Sequence, residues 1–148
     1  MVWLPHWPRV GEVVIKEGLT RISRMLDALD NPEKKMPPAI HFAGTNGKGS
    51  TIAFVQSILE SAGLKVHVYT SPHLLRYNER IRLCGQEIED RYLESLLEEC
   101  RIVSEKKQID VSFFEGTTAA AFLASLTAYS IWLMTLSRYI LFGISLCT

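Results

Sequence analysis

The most informative part of the sequence is Gly44-Thr45-Asn46-Gly47-Lys48-Gly49-Ser50-Thr51. It follows a short apolar run at residues 40–43 that suits a buried strand. It leads into residues 48–62, whose apolar side chains fall on one face of a helix, and residues 66–69 then favour a second strand. This succession predicts a right-handed βαβ unit with parallel strands, so the sequence is that of an α/β protein.

The composition of residues 44–51 predicts a phosphate-binding loop. Glycines permit a positive φ and let backbone N–H groups approach an anion closely. The N-terminus of the following helix adds unpaired N–H donors and a partial positive charge. Lys48 supplies a charge for the outer phosphates, and Ser50 or Thr51 offers a hydroxyl to a phosphate or to Mg²⁺. We therefore expect residues 45–51 to bind ATP.

The loop departs from the general P-loop pattern at two positions. Phe42 stands where that pattern has its first glycine, and Gly49 stands where it has serine or threonine. A glycine-rich turn that only begins a helix is the alternative interpretation. Three glycines, one lysine and two hydroxyl side chains between a strand and a helix favour the phosphate loop.

Length and composition limit the remaining choices. The chain has 148 residues, 16 basic and 16 acidic side chains, and 47% hydrophobic residues. This is enough for the core of one domain. Zero net charge argues against nucleic-acid binding driven by overall positive charge. Three scattered cysteines indicate neither a zinc knuckle nor a disulfide framework, and we expect a cytoplasmic protein.

Four sequence blocks resemble one family of ligases. They are Gly18-Leu19 with Arg21-Ile22, the loop with its Lys48-Gly49-Ser50 ending, Tyr69-Thr70-Ser71-Pro72-His73-Leu74 with residues 76–81, and Phe113-Phe114-Glu115 with Thr117. In this order over residues 17–123 they resemble the folylpolyglutamate synthase and dihydrofolate synthase branch of the Mur-ligase superfamily, N-terminal part only. The resemblance implies a partial P-loop α/β fold: a Mur-ligase-like parallel sheet with flanking helices, truncated.

Such ligases activate a carboxylate as an acyl phosphate with ATP, and the amine of glutamate then attacks it. The resemblance implies ATP and Mg²⁺ as cofactors, and L-glutamate with a folate or dihydropteroate as substrates. It makes Ser71 a Mg²⁺ ligand and assigns no catalytic residue. The residues that it places near the substrate are Gly18, Leu19, His73, Phe114 and Glu115. We expect a monomer.

The residues themselves leave simpler interpretations open. Ser71-Pro72-His73 alone is typical of a surface turn, and His73 of a solvated side chain. Glu115 equally suits the start of a helix, where the helix dipole favours a carboxylate. The charged residues 76–82 fit either a solvated loop or a mobile loop bordering a folate site.

The last part of the chain differs in composition. From Gly116 to Thr148 the only charged residue is Arg138. Residues 124–148 match nothing in the family, and its next strand and acidic Mg²⁺ ligand are not expected there. We divide the chain into a partial ATP-binding domain, 1–123, and a non-family apolar tail, 124–148, interpreted as the product of a reading-frame change. A membrane span over residues 116–137 is the less favoured interpretation, because serine and threonine dilute its hydrophobicity.

The sequence thus predicts a ligase fragment that is pseudogene-like and lacks turnover as this chain. Its ancestral reaction is the ATP-dependent addition of glutamate to a folate or dihydropteroate. A non-catalytic ATP-binding module and a small membrane-tethered protein are the alternatives. Since several strands and helices of a doubly wound sheet are not expected, we also predict exposed apolar patches.

Overall fold

The computed structural model describes residues 15–126 and 131–135. The helices in these ranges are α1 (Ile15–Ala28), α2 (Lys48–Ser61), α3 (Asp90–Lys106) and α4 (Phe113–Ser125). The strands are β1 (Ala39–His41), β2 (Val66–Tyr69), β3 (Ile81–Leu83), β4 (Gln86–Glu87) and β5 (Ile131–Met134). The predicted α/β class is confirmed.

The ends of the helices follow local signals in the sequence. After α1, Asp30 and Asn31 take φ values of 65° and 53°, and Pro32 follows, which prevents the helix from continuing. After α2, Gly63 takes a φ of 81°, the left-handed conformation that commonly ends helices. Such signals can be recognised in the sequence, so the ends of α1 and α2 are predictable.

The five strands form one mostly parallel sheet in the order β1-β5-β2-β3-β4. β5 pairs in parallel with both β1 and β2, whereas β3 and β4 are antiparallel. Cys84 and Gly85, both with positive φ, connect β3 to β4, which is the conformation that tight hairpins require. Residues 81–87 therefore form a β-hairpin.

β5 corrects one expectation from the sequence. We predicted no strand after residue 123, but residues 131–134 lie at the centre of the sheet, and Trp132, Leu133 and Met134 are buried. The prediction was wrong because a short apolar run that is buried on both faces carries no period that distinguishes it from other apolar sequence. α4 also continues past residue 123 to Ser125. The origin of residues 124–148 in a reading-frame change stays a prediction.

Alternate residues of β5 pack into two cores. Trp132 and Met134 join the larger core, which is built with α1, α3 and α4. Leu133 joins a smaller core with Ile52 of α2 and Val66 of β2. The sheet is thus covered by helices on both faces.

The smaller core leaves apolar side chains exposed, as the sequence predicts. Phe54 and Ile58 of α2 are 71% and 68% exposed. Leu74 and Leu75, in the connection after β2, are each 90% exposed.

The described ranges contain no helix with both the length and the hydrophobicity needed to cross a membrane. Of residues 116–137, which the sequence analysis considered as a membrane span, residues 116–125 belong to α4. Residues 127–130 and 136–137 lie outside the described residues.

His67 of β2 makes the stability of the protein pH-dependent. It is buried against Trp132, and its Nδ1 accepts a hydrogen bond from the backbone N–H of Cys84 at 3.0 Å. Burial lowers the pKa of His67 below its ordinary value of 6.5, and the nearby Lys65 charge acts in the same direction. The neutral ring therefore stabilises the fold above pH 6.5, and this stabilisation is lost as the pH falls through the lowered pKa.

We expect the urea midpoint of the protein to fall between pH 7.5 and pH 5.5, by more in the wild type than in a His67→Asn variant. The asparagine oxygen can accept the Cys84 hydrogen bond but does not titrate. Urea unfolding of both proteins at both pH values measures the difference. An equal fall of the urea midpoint in the two proteins would show that His67 does not contribute to the pH dependence of stability.

Candidate functional site

Gly47 shapes the turn between β1 and α2. It takes a φ of 76°, a conformation that strains any other residue, and it is the N-cap of α2. The first N–H groups of α2 therefore open directly onto the loop, where an anion can meet them. The strand, loop and helix arrangement predicted for residues 44–51 is present.

Lys48 folds back over this loop. Its Nζ donates hydrogen bonds to the carbonyl oxygens of Gly44, at 2.6 Å, and Thr45, at 3.4 Å. The positive charge is thus held above the loop at the start of the helix. From the sequence alone, the Thr51 hydroxyl is a possible contact to a phosphate or to Mg²⁺. In the structure this hydroxyl donates to the Gly47 carbonyl oxygen at 2.9 Å, which stabilises the first turn of α2.

The loop forms one wall of a cavity of about 680 Å³ at the carboxyl ends of the parallel strands. In open α/β sheets this edge is where ligands bind. Among the predicted ATP-binding residues, Thr45, Asn46, Gly47, Lys48 and Gly49 line the cavity. Ser50 and Thr51 are exposed and do not line it.

Ser71 also lines the cavity, and it comes just after β2, which is two strands away from β1 in the sheet. Its backbone N–H donates to Thr135 Oγ1 at 3.3 Å, and its hydroxyl accepts from Arg80 Nη1 at 3.4 Å. Thr135 follows β5 and also lines the cavity. The cavity thus joins the ends of three adjacent parallel strands: β1 through the loop, β5 through Thr135 and β2 through Ser71.

Arg80 is not part of a solvated loop. Its side chain is buried, its Nε donates to His73 Nδ1 at 2.8 Å, and its guanidinium lies 5.0 Å from the centre of the Tyr77 ring. His73 itself is half-buried and does not line the cavity. The solvated-loop interpretation is therefore wrong for Arg80, because its neighbours supply an aromatic face and an acceptor.

Glu79 fixes the connection that follows Ser71. Its two carboxylate oxygens accept the backbone N–H groups of Arg76, Leu74 and Leu75 at 2.7–2.9 Å. These donors, that of Arg76 first, hold the pKa of Glu79 below its usual value. The carboxylate lines the cavity, but its lone pairs are largely occupied by the backbone.

Glu115 lies in the first turn of α4, which agrees with the simpler of its two interpretations. It forms a capping box with Ser112, and its buried carboxylate is paired with Arg21 of α1 at 3.0 Å. Glu115, Phe114 and Leu19 do not line the cavity. Gly18 lies on α1. The roles of these residues and of His73 in binding a substrate stay predictions.

Two residues of the site were missed in the sequence. Thr135 lies in the segment that matched no family block, so no signal pointed to it. Arg80 was noticed only as one charge among several, and a buried guanidinium cannot be recognised before its neighbours in space are known.

The comparisons with known proteins agree with this geometry. The dihydrofolate synthase/folylpolyglutamate synthase of Bacillus subtilis is 40% identical over 113 residues, and that of Escherichia coli is 42% identical over 123 residues. These matches cover 74% and 82% of the chain. The chain spans only 26% and 28% of the length of these relatives. No family model matches it.

Solved structures give the same result. The Yersinia pestis bifunctional folylpolyglutamate synthase/dihydrofolate synthase complexed with AMPPNP and Mn ion has a TM-score of 0.76 and 32% identity, over 90% of this chain and 31% of that one. E. coli FolC in complex with ADP has a TM-score of 0.74 and 36% identity, over 81% of this chain and 29% of that one. Over the part that these comparisons match, the chain belongs to the folylpolyglutamate synthase/dihydrofolate synthase family.

Proposed function

We propose that the chain binds ATP in the cavity next to the phosphate loop, and that it corresponds to the nucleotide-binding part of a ligase that joins glutamate to a folate or dihydropteroate. The observation that carries this proposal is the position of the loop. Gly47 and Lys48 begin α2 at the edge where β1, β5 and β2 end. The ADP and AMPPNP complexes of the related structures support the choice of nucleotide.

The residues of the chain would act by positioning and by neutralising charge. The N–H groups at the start of α2 would hold the phosphates, and Lys48 would balance their negative charge. The hydroxyls of Ser71 and Thr135, which also line the cavity, would orient the outer phosphate. Phosphoryl transfer to a carboxylate depends on this kind of positioning more than on a protein nucleophile.

We also propose that ATP arrives with a divalent ion, as in the related Yersinia pestis structure complexed with AMPPNP and Mn ion. Mg²⁺ in proteins is usually bound by one or two carboxylates together with substrate phosphates. Within 15–126 and 131–135, no three His, Cys, Asp or Glu side chains form a group that could hold a metal ion. A Mg²⁺ ion that arrives with ATP would find in Ser71 a neutral oxygen ligand, and we assign no step of the activity to a protein-held ion.

We further propose that this chain lacks ligase turnover by itself. It spans less than a third of the length of its relatives, so most of the length of such a ligase has no counterpart in these 148 residues. On this proposal it is a monomeric ATP-binding module that works in the cytoplasm, without a nucleic-acid partner. The origin of the segment after residue 123 does not affect the proposal.

Lys48→Ala tests ATP binding. The variant loses the charge that faces the phosphates, and charge-assisted hydrogen bonds contribute roughly 1.5–3 kcal/mol each, so we expect ATP affinity to fall about 10- to 100-fold. Isothermal titration of both proteins with ATP measures it. Lys106→Ala, which removes a lysine at the end of α3 that does not line the cavity, is the matched control.

The same preparations test the absence of turnover. With a reduced folate, glutamate and MgATP, we expect ADP release by the wild type to equal that of Lys48→Ala. Release well above that of the variant would contradict the proposed inactivity. Equal ATP affinity in the wild type and in Lys48→Ala would contradict the proposed binding site.

A further inference from the structure

We propose that Arg80 is a positioning residue for the outer phosphate of ATP, and that through Ser71 it makes the cavity prefer a triphosphate to a diphosphate. This inference rests on the proposed function, since it concerns the same cavity, and it adds the residue on which the choice of nucleotide depends. Arg80 is not among the residues that line the cavity, so it acts through a side chain that does.

The guanidinium of Arg80 is buried without a counter-ion. The residue is only 9% exposed. Its side chain contacts His73, Ser71 and the ring of Tyr77, and none of these carries a carboxylate. Within residues 15–126 and 131–135, no Asp or Glu forms an ion pair with it. A buried cation that lacks a carboxylate partner destabilises the fold, and an anion bound nearby would offset that effect.

The position of Arg80 is fixed by its backbone and by its side chain. Its carbonyl oxygen accepts the backbone N–H of Thr70 at 2.9 Å, next to the paired strands β2 and β3. Its Nε donates to His73 Nδ1 at 2.8 Å and its Nη1 to Ser71 Oγ at 3.4 Å, so one planar group links the residues on both sides of Pro72. The rigid plane of a guanidinium fixes the directions of both hydrogen bonds, which the ammonium group of a lysine does not.

This arrangement fixes the hydroxyl of Ser71. The backbone N–H of Ser71 donates to Thr135 Oγ1 at 3.3 Å, and one lone pair of its Oγ accepts from Arg80. A hydroxyl has a second lone pair and a proton, and in Ser71 these are left for the cavity. There they can meet a phosphate oxygen or a divalent ion that is bound to the phosphate.

The outer phosphate is the part of the nucleotide that reaches Ser71. Amides of a phosphate loop hold the inner phosphates, and its lysine reaches toward the outer ones. Lys48 stands after β1, whereas Ser71 stands after β2, with β5 between the two strands. Neighbouring strands lie about 4.8 Å apart, so roughly 10 Å separates the ends of β1 and β2. A diphosphate held at the loop would end short of Ser71, and the third phosphate would extend toward it.

The experiment compares the dissociation constants of ATP and ADP in excess MgCl₂, by isothermal titration of the full 148-residue chain and its variants. We expect the wild type to bind ATP at least about tenfold more tightly than ADP, since a charge-assisted contact is made to the triphosphate alone. In Arg80→Met we expect ATP affinity to fall about tenfold or more and ADP affinity by less than about twofold. Arg91→Met, which removes an exposed arginine of α3, is the matched control and should leave both constants unchanged.

The ratio of the two constants separates positioning from a structural role, because a general loss of stability would weaken the binding of both nucleotides alike. Arg80→Lys retains the charge without the two fixed donors, so it should also lose the preference for ATP. Ser71→Ala should lose this preference as well. Adding Arg80→Met to Ser71→Ala should then change neither constant by more than about twofold, since the first substitution has removed the group through which Arg80 acts.

Several outcomes would overturn the inference while leaving the proposed ATP site in place. They are equal affinity of the wild type for ATP and ADP, equal losses of both affinities in Arg80→Met, a wild-type preference in Arg80→Lys or Ser71→Ala, and a further loss of ATP affinity in the double variant. Absence of binding of both nucleotides to the wild type would overturn the proposed function, and the inference with it. Ser71 is only partly buried, so Ser71→Ala and the wild type test the inference even where an Arg80 variant fails to fold.

Discussion

Leu133→Asp is expected to unfold the protein at room temperature. Leu133 is completely buried in the middle of β5, where it packs with Ile52 of α2 and with Val66 and Val68 of β2. An ionised carboxylate at this position has no cation to pair with among the side chains of that core. Burying an unpaired polar group and losing the leucine side chain each cost several kcal/mol, and domains of this size are stable by only about 5–15 kcal/mol.

Circular dichroism and urea unfolding measure this effect. Ile102→Asp is the matched control, because Ile102 lies on α3 and is 49% exposed, so its substitution should change stability by less than about 1 kcal/mol. A Leu133→Asp protein with the urea midpoint of the wild type would contradict the central position of β5.

We expect Leu133→Asp to disrupt the nucleotide site together with the fold. β5 is the strand that joins β1 to β2, and these two strands carry the phosphate loop and Ser71. Without β5, β1 would have no partner among the described strands. Residues 131–135 are therefore part of the architecture of the site, whatever the history of the sequence that contains them.

The parts of the fold that could be predicted are those with local signals. The glycine-rich loop, the apolar face of α1 and the turn at Gly85 each lie within a few consecutive residues. Such features depend on backbone preference and periodicity, which are properties of the sequence itself. The position of the cavity followed from the βαβ arrangement, because parallel strands end at the same edge.

β5 could not be predicted for two physical reasons. Its residues are apolar on both faces, so neither an alternating nor a helical period marks them. Its place in the sheet depends on pairing with β1 and β2, which precede it by 60 or more positions in the sequence. The resemblance to known ligases gave no help, because it ended before this segment.

Ion pairs between residues that are far apart in the sequence could not be predicted either. Arg21 and Glu115 are separated by 94 positions, and each is an ordinary charged helical residue when considered alone. Only the packing of α1 against α4 brings them together. From the sequence alone, Glu115 could be either a carboxylate at the start of a helix or a residue near the substrate. The structure identifies Arg21 as its counter-ion.

Arg21→Met is the second substitution with a large expected effect. Arg21 Nη2 and Nε donate to the two oxygens of Glu115 at 3.0 and 3.2 Å, and the glutamate side chain is only 6% exposed. Methionine preserves most of the apolar stem but leaves the carboxylate buried without its cation. Breaking a buried ion pair from one side typically costs about 3–5 kcal/mol, and we expect a loss in this range from the free energy of unfolding.

Urea unfolding of Arg21→Met beside Arg24→Met, an exposed arginine on the same helix, separates the lost ion pair from the effect of methionine on α1. The double variant Arg21→Met/Glu115→Gln should recover part of the loss, because the neutral amide no longer requires a cation and retains an oxygen for the backbone N–H of Ser112. If the double variant were less stable than Arg21→Met by the full cost of Glu115→Gln in the wild type, the two residues would be energetically independent. The packing of α1 against the start of α4 would then depend on apolar contacts alone.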